Sequence, residues 1–308
     1  MKILTALINS IYSNKYIQNI YLPPEYTSQA PQHSQSYLQE RLDKHKQERE
    51  ESAPIFIFSA GWGCGSTLLQ RLIMSSGEAV IWGEPLDRSI PIQRMASSLA
   101  AIDHDWPPDN HFTEIRSIKE LSKTWVANLT PDLTHLKRAH TSFFKTWFEA
   151  PLQEYRATRW GIKEVRLTIN HAHYLKWLFP NSKFIFIYRN LPDSYLSCKQ
   201  RKWFLSWPKY DISSFMTFTM HWKLLTESFI SRHHEVDGML IRYEDLINNR
   251  VDIKELAGHL EIKSMEEDTF KTKIGSRKKN NKLNSLESFL LKHIQRTVET
   301  QYPDNFQD

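Results

Sequence analysis

The chain has 308 residues, 40% of them hydrophobic and 24% charged, an ordinary globular balance with enough apolar material for one large domain or two small ones. Forty Lys and Arg against 35 Asp and Glu give a formal charge of +5 and a pI near 9.0. So mild an excess lacks the dense basic stripe of a dedicated nucleic-acid binder and suits a site for a polyanionic small molecule equally well. The two cysteines, Cys64 and Cys198, fit neither a disulfide framework nor a zinc site, so the expected setting is the reducing cytoplasm.

In chain order, residues 1–50 read as a helical extension. Leu4, Ile8, Ile11 and Tyr12 recur at helical spacing, and the short apolar run around them, broken by Asn9, Ser10 and Ser13, is no signal peptide. Segment 33–50, HSQSYLQERLDKHKQERE, reads as a charged, solvated helix. No uncharged run reaches membrane-spanning length, so no stable insertion is expected. From Pro54 onward apolar runs alternate with amphipathic stretches. Strands are predicted at Ile55–Phe58, Glu78–Trp82, Trp160–Glu164, Lys183–Tyr188 and Gly238–Arg242. Helices are predicted at Ser66–Ser75, His171–Leu178, Pro192–Trp203, Ser213–Arg232 and Ile253–Leu260. The alternation predicts an α/β fold over 51–308, a parallel sheet flanked by helices. Residues 86–159, with Trp106, Trp125, Phe143, Phe144 and Trp147, are expected to form an inserted helical cap.

Three of the nine glycines fall within five positions of 54-PIFIFSAGWGCGSTLLQRLIM-74. A buried strand that runs into glycines and then into a helix opening at Ser66 and Thr67 has the geometry of an anion cradle. Glycines let backbone N–H groups turn inward, and the helix start adds unpaired amides and a positive dipole end. A nucleoside triphosphatase loop would place a lysine directly before the Ser/Thr, where this chain has Gly65; no lysine occurs between Pro54 and Leu86. A thiolate phosphatase would need an arginine six residues after Cys64, where Gln70 stands and Arg71 falls one position late, so Cys64 reads as a small packed residue.

A second stretch, 183-KFIFIYRNLPDSYLSCKQRKW-203, ends a buried strand in Arg189 and starts a helix at Pro192–Asp193 that carries Ser197. An arginine fork beside a serine suits an oxyanion. Two anion sockets at one edge of a parallel sheet imply a ligand with phosphates at two places.

The ordered set GWGCGSTLLQRL, WGEPLD, WGIKE, IYRNLPDSYLS and IRYEDL, from about Pro54 to Lys282, resembles the sulfotransferases that use 3′-phosphoadenosine 5′-phosphosulfate. The resemblance implies a P-loop-like α/β fold and a set of roles. Gly63, Cys64, Gly65, Ser66, Thr67 and Leu68 would form the loop that holds the 5′-phosphosulfate, with Leu69 anchoring its helix. Arg189 and Ser197 would hold the 3′-phosphate, and Tyr243 would lie near the adenine. In 275-GSRKKNNK-282, Arg277 and Lys278 match the family's late basic loop, although Lys279 stands where a glycine is usual. The chain departs from the family at Gly63, where a lysine or arginine usually stabilises charge on the transferring group. Lys163 and Arg88 are the candidates to replace it.

Sulfuryl transfer needs an in-line acceptor, a base for its proton, and donors for the departing oxygen. Ser66 and Thr67 with the loop amides are the candidate donors. Glu84, in 83-GEPLD-87, is the candidate base, with a purely structural role for its carboxylate as the alternative and Asp87 in reserve. No metal is required, and no metal-ligand spacing stands out. The expected acceptor is a hydroxyl or amine of a small molecule, a metabolite or natural product, bound by the cap and by 203-WFLSWPKY-210; the sequence leaves oligomeric state open. Two other readings stand beside this one, a small-molecule kinase on a P-loop fold and a non-catalytic module for nucleotides or nucleic acid.

Overall fold

The computed structural model describes residues 51–84, 90–99, 117–201, 214–271 and 282–306, with isolated positions 6, 10–12, 14, 102, 106–108 and 111–112. Asp87, Arg88, Arg277, Lys278, the expected helix over 33–50 and the stretch 203–210 lie outside the described residues.

Five parallel strands form one sheet in the order β2-β3-β1-β4-β5. They are β1 (Ile55–Ser59), β2 (Ala79–Gly83), β3 (Arg159–Glu164), β4 (Lys183–Tyr188) and β5 (Met239–Arg242). The central strands read IFIFS and KFIFIY because both of their faces are covered, the pattern that parallel sheets impose. The two faces differ in kind. Phe56, Phe58, Trp160, Ile162, Phe184 and Phe186 build an aromatic layer on one side, with Phe56 edge-on to Trp160 at 5.8 Å. Ile55, Ile57, Ile81, Ile185, Ile187 and Ile241 build an aliphatic layer on the other.

The flanking helices are α1 (Ser66–Met74), α2 (Pro91–Ser98), α3 (Leu133–Phe144), α4 (Ile169–Leu178), α5 (Leu191–Gln200), α6 (Phe215–Arg232), α7 (Tyr243–Ile247), α8 (Ile253–Leu260) and α9 (Ser285–Gln301). Helices α1 and α8 cover the aliphatic face through Leu69, Leu72, Ile73, Leu256 and Leu260. Helices α3, α4 and α6 cover the aromatic face through Phe144, Tyr174, Leu178, Phe218, Trp222 and Phe229. The expected cap enters between β2 and β3, with α2, α3 and a π-helical turn at Lys145–Glu149. It is pinned where Trp82 Nε1 donates to the Phe148 carbonyl at 2.9 Å and where Phe148 stacks on Trp160.

Most predicted elements stand within a residue or two of their expected bounds. The expected strand Glu78–Trp82 is shifted by one, because Gly83 pairs with Lys163 in the ladder while Glu78 turns its carbonyl to the N–H groups of Thr158 and Arg159. Helix α9 was not among the expected elements. Its start is a capping box of Asn284 and Glu287, and Leu291, Ile294 and Val298 bury one stripe against the aromatic side. At the other end of the chain Tyr12 is buried, its hydroxyl 2.6 Å from that of Thr219 in α6.

Candidate functional site

With all strands parallel, their C-terminal ends share one edge, and the loops that leave them meet there. The chain departs from β1 toward β2 and β3 on one side and reaches β4 and β5 on the other. The gap between the ends of β1 and β4 is therefore a topological switch point, where open α/β sheets bind ligands.

The glycine loop leaves β1 at this point. Ala60 N–H donates to the Ile187 carbonyl at 2.8 Å, and the Ser59 hydroxyl bonds the Gly61 carbonyl at 2.8 Å, which fixes the turn to the sheet. Gly63 and Gly65 have φ of +82° and +92°, a region costly for any residue with a Cβ. Space forbids side chains there as well. A Cβ on Gly63 would lie 2.9 Å from the Ser194 carbonyl oxygen and 3.0 Å from Ser197 Cβ, and one on Gly65 would lie 2.1 Å from the Tyr243 ring. Gly65 stands at the N-cap of α1, whose first turn has no acidic residue and no side-chain cap; Ser66 is buried and Thr67 exposed. Leu68 N–H bonds back to the Gly65 carbonyl, and Leu69 packs into the aliphatic layer. Cys64 is fully buried, with its thiol against the Ala60 carbonyl and the Ser194 hydroxyl, and burial pushes that thiol up to about 11. It is a packed thiol, as its sequence context suggests.

The two stretches expected as separate sockets touch each other. Arg189, at the end of β4, donates through Nη1 to the Gly63 carbonyl at 3.0 Å and lies over the Tyr243 ring at 4.4 Å. Its Nη2 is 3.5 Å from the Asp193 carboxylate, and among the described residues its buried Nε makes no hydrogen bond, with Glu244 4.0 Å away. Ser197, one and a half turns into α5, faces Gly63. The glycine loop, Arg189, Ser197 and Tyr243 therefore form one continuous surface.

Glu84 and Lys163 meet one strand away. Lys163 is the register partner of both Ile57 on β1 and Gly83 on β2. Its side chain therefore leaves the sheet on the face that α1 covers, where its ammonium is ion-paired with the Glu84 carboxylate. Glu84 N–H also bonds the Lys163 carbonyl at 2.8 Å, and Glu84 holds a positive φ of 36°. A non-glycine residue kept in that region is held by its surroundings, a feature that clusters at functional sites.

Beneath the loop lies a polar layer with no counterpart among the sequence expectations. Glu164 and Arg166 form a buried ion pair at 2.9 Å, Arg166 lies 6.0 Å from the Trp62 ring centroid, and Trp62 packs tilted against His221 at 5.0 Å. His221 bonds the Val165 carbonyl at 2.9 Å. Burial, and after it the charge of Glu84, push the Glu164 carboxyl above its usual range; burial holds His221 down at about 4. These residues join β3, the loop and α6, partners that only the folded chain brings together. A cavity of ≈ 710 Å³ along the β5 edge, lined in part by Arg242, Asp245 and Arg250, contains none of the loop residues, Arg189, Ser197 or Tyr243.

Among solved structures, the chain is similar to the sulfotransferase domain from the curacin biosynthetic pathway, at 16% identity over 74% of this chain and 80% of that one, with a TM-score of 0.43. It is also similar to the sulfotransferase domain of the Synechococcus PCC 7002 olefin synthase, at 15% identity over 83% and 98%, with a TM-score of 0.42. A sulfotransferase from Mycobacterium avium matches at 10% identity over 98% and 82%, with a TM-score of 0.37. Among curated proteins no sequence matches. The sulfotransferase family matches residues 54–266, well over half of the chain and the span from β1 to just beyond α8. The chain belongs to the sulfotransferase family.

Proposed function

We propose that the protein transfers a sulfuryl group from 3′-phosphoadenosine 5′-phosphosulfate to a hydroxyl or amine of a small-molecule acceptor, a metabolite or natural product. The observation that carries this reading is the contact of three distant stretches at one strand edge: the glycine loop, the Arg189–Ser197 segment and Tyr243. The donor set fits a bisphosphate. The loop and the start of α1 offer amides and the Ser66 and Thr67 hydroxyls to the 5′-phosphosulfate, and Gly63, Cys64, Gly65 and Leu68 shape that cradle. Arg189 and Ser197 take the 3′-phosphate, and Tyr243 lies beside the adenine. An arginine whose buried Nε makes no hydrogen bond among the described residues favours an anionic partner.

The donor supplies an activated sulfuryl group whose bond to a phosphate oxygen breaks as the acceptor attacks. Glu84 takes the acceptor's proton, and Lys163, salt-bridged to Glu84, orients its carboxylate and places a cation beside the reacting centre. This arrangement provides the charge that Gly63 does not carry. On this reading residues 51–308 are the catalytic domain, 86–159 its cap over the acceptor, and 1–50 an extension. Arg277 and Lys278 remain candidates for the 3′-phosphate. The two buried free cysteines suit a cytoplasmic setting, and no helix among the described residues is long and apolar enough to cross a membrane.

Calorimetric titration with 3′-phosphoadenosine 5′-phosphate, beside ATP with magnesium, tests the reading. The expected result is micromolar binding of the bisphosphate that Arg189→Ala abolishes. Binding of ATP alone, or of neither ligand, would sink it.

A further inference from the structure

Four tethers hold the four residues that carry Arg189 into α5, and each comes from a different element. The Arg189 carbonyl accepts from Trp222 Nε1 of α6 at 2.9 Å. Asn190 donates to Glu244 Oε1, at the start of α7, through its N–H at 3.2 Å and its side-chain amide at 2.6 Å. The Tyr188 hydroxyl donates to the Asn305 carbonyl beyond α9. The N–H of Leu191, the first residue of α5, donates to Gln295 Oε1 of α9 at 2.7 Å. The orientation of the Gln295 amide is fixed from its far side, where Nε2 donates to Glu299 at 2.6 Å.

Helix α9 also grips the other end of α5. Glu287 accepts from Lys199 at 2.7 Å and from the Tyr195 hydroxyl at 3.4 Å, so Ser197 lies on a turn held between Leu191 and Lys199. Both α9 and Asn305 lie beyond residue 266, outside the span that matches the family. A helix start ordinarily leaves amides free for an anion. Here the Leu191 and Asp193 amides are taken by Gln295 and Asn190, so the start of α5 is a fixed hinge and the anion is left to side chains.

We infer that the C-terminal unit 285–306 is part of the donor site's positioning apparatus, and that Gln295 is a positioning residue that sets Arg189 and Ser197 for the 3′-phosphate. This rests on the sulfotransferase reading above. It goes beyond that reading because Gln295 touches no reacting group and acts only through the Leu191 amide. Losing the Gln295 acceptor frees a buried N–H at the hinge two residues after Arg189, and α5 must shift or tilt to satisfy it.

The test compares affinities for 3′-phosphoadenosine 5′-phosphate and adenosine 5′-monophosphate, which differ only in the 3′-phosphate, in the full-length protein and its variants. For Gln295→Leu the preference for the bisphosphate is expected to fall roughly tenfold, the worth of one misplaced charge-assisted hydrogen bond, while affinity for the monophosphate stays unchanged. Gln295→Glu combined with Glu299→Gln keeps both hydrogen bonds with exchanged roles and is expected to restore the preference. Should Gln295→Leu fail to fold, Tyr188→Phe decides, because it removes a single hydroxyl tether; a loss of about threefold in preference is expected. An unchanged preference in the variant that folds, or an equal loss for both ligands, overturns the inference. A wild-type protein that shows no preference for the 3′-phosphate overturns the sulfotransferase reading itself, which separates the two failures.

Discussion

Gly63→Ala tests the packing of the glycine loop with a single methyl group. The φ of +82° at Gly63 costs about 1–2 kcal/mol for any residue with a Cβ. The new methyl would also lie 2.9 Å from the Ser194 carbonyl oxygen and 3.0 Å from Ser197 Cβ, and neither atom is the free end of a flexible chain. Overpacking of this kind adds about 1–3 kcal/mol. Gly77 provides the control: its φ is +71°, yet nothing lies within 4 Å of a Cβ built there, so Gly77→Ala carries the backbone cost alone. The two variants should therefore differ by about 1–3 kcal/mol. At ~2–4 °C per kcal/mol for a chain of this size, Gly63→Ala should melt roughly 2–12 °C below Gly77→Ala. Thermal unfolding followed by circular dichroism measures the difference. Coincident melting curves would refute the claim that α5 leaves no room for a side chain at Gly63.

Glu84→Gln and Lys163→Met should each lower kcat by roughly 10²–10⁴-fold while binding of the bisphosphate persists, and wild-type turnover in either would remove that residue from the chemistry. His171, fully buried, uses Nδ1 to accept from the Thr168 N–H at 3.1 Å, and burial holds its pKa near 4 against 6.5 when unfolded. The unfolded chain therefore binds a proton first, so stability present above pH 6.5 is lost as pH falls toward 4. Between about pH 7 and 5 this amounts to about 2 kcal/mol, which His171→Gln should abolish in chemical denaturation; equal losses in both proteins would contradict it. Burial raises the Cys64 thiol to about 11 and Cys198 to about 12, so the folded protein should resist alkylation at about pH 8. Rapid alkylation of Cys64 without unfolding would overturn that account of the thiol.

The sequence was most legible where one physical demand dominated. IFIFS and KFIFIY read as strands because a parallel sheet covers both faces, and their observed bounds are close to the expected ones. The glycine corner was legible for a similar reason, since few functions other than a tight turn gather three glycines in five positions. Helix α9 escaped because its apolar stripe of Leu291, Ile294 and Val298 is diluted by exposed Leu286 and Phe289, which blur the period. Its capping box, Asn284 with Glu287, was the signal available. The supports of the loop left no local trace at all. Trp222 reaches the Arg189 carbonyl from 33 residues away, and Gln295 reaches Leu191 from 104, separations at which a single sequence says nothing about contact.

Gly63 changes meaning between sequence and structure. In the sequence it looks like the loss of a cation that the family usually carries. In the folded chain it is a point where the loop packs directly on α5, and Arg189 bonds its carbonyl. A lysine there would have to leave the backbone through the space that Ser194 and Ser197 fill. On the proposed function, positive charge beside the reacting centre then has to come from another element. Lys163 is suitably placed one strand over, on the register line that also holds Ile57, two residues before the loop's first anchor at Ser59. Its pairing with Glu84 then serves two ends, since the same contact that holds the cation also holds the carboxylate proposed as base. On this reading the absence of a loop lysine and the close packing of α5 are one arrangement seen from two sides, with β3 supplying the charge that the loop does not.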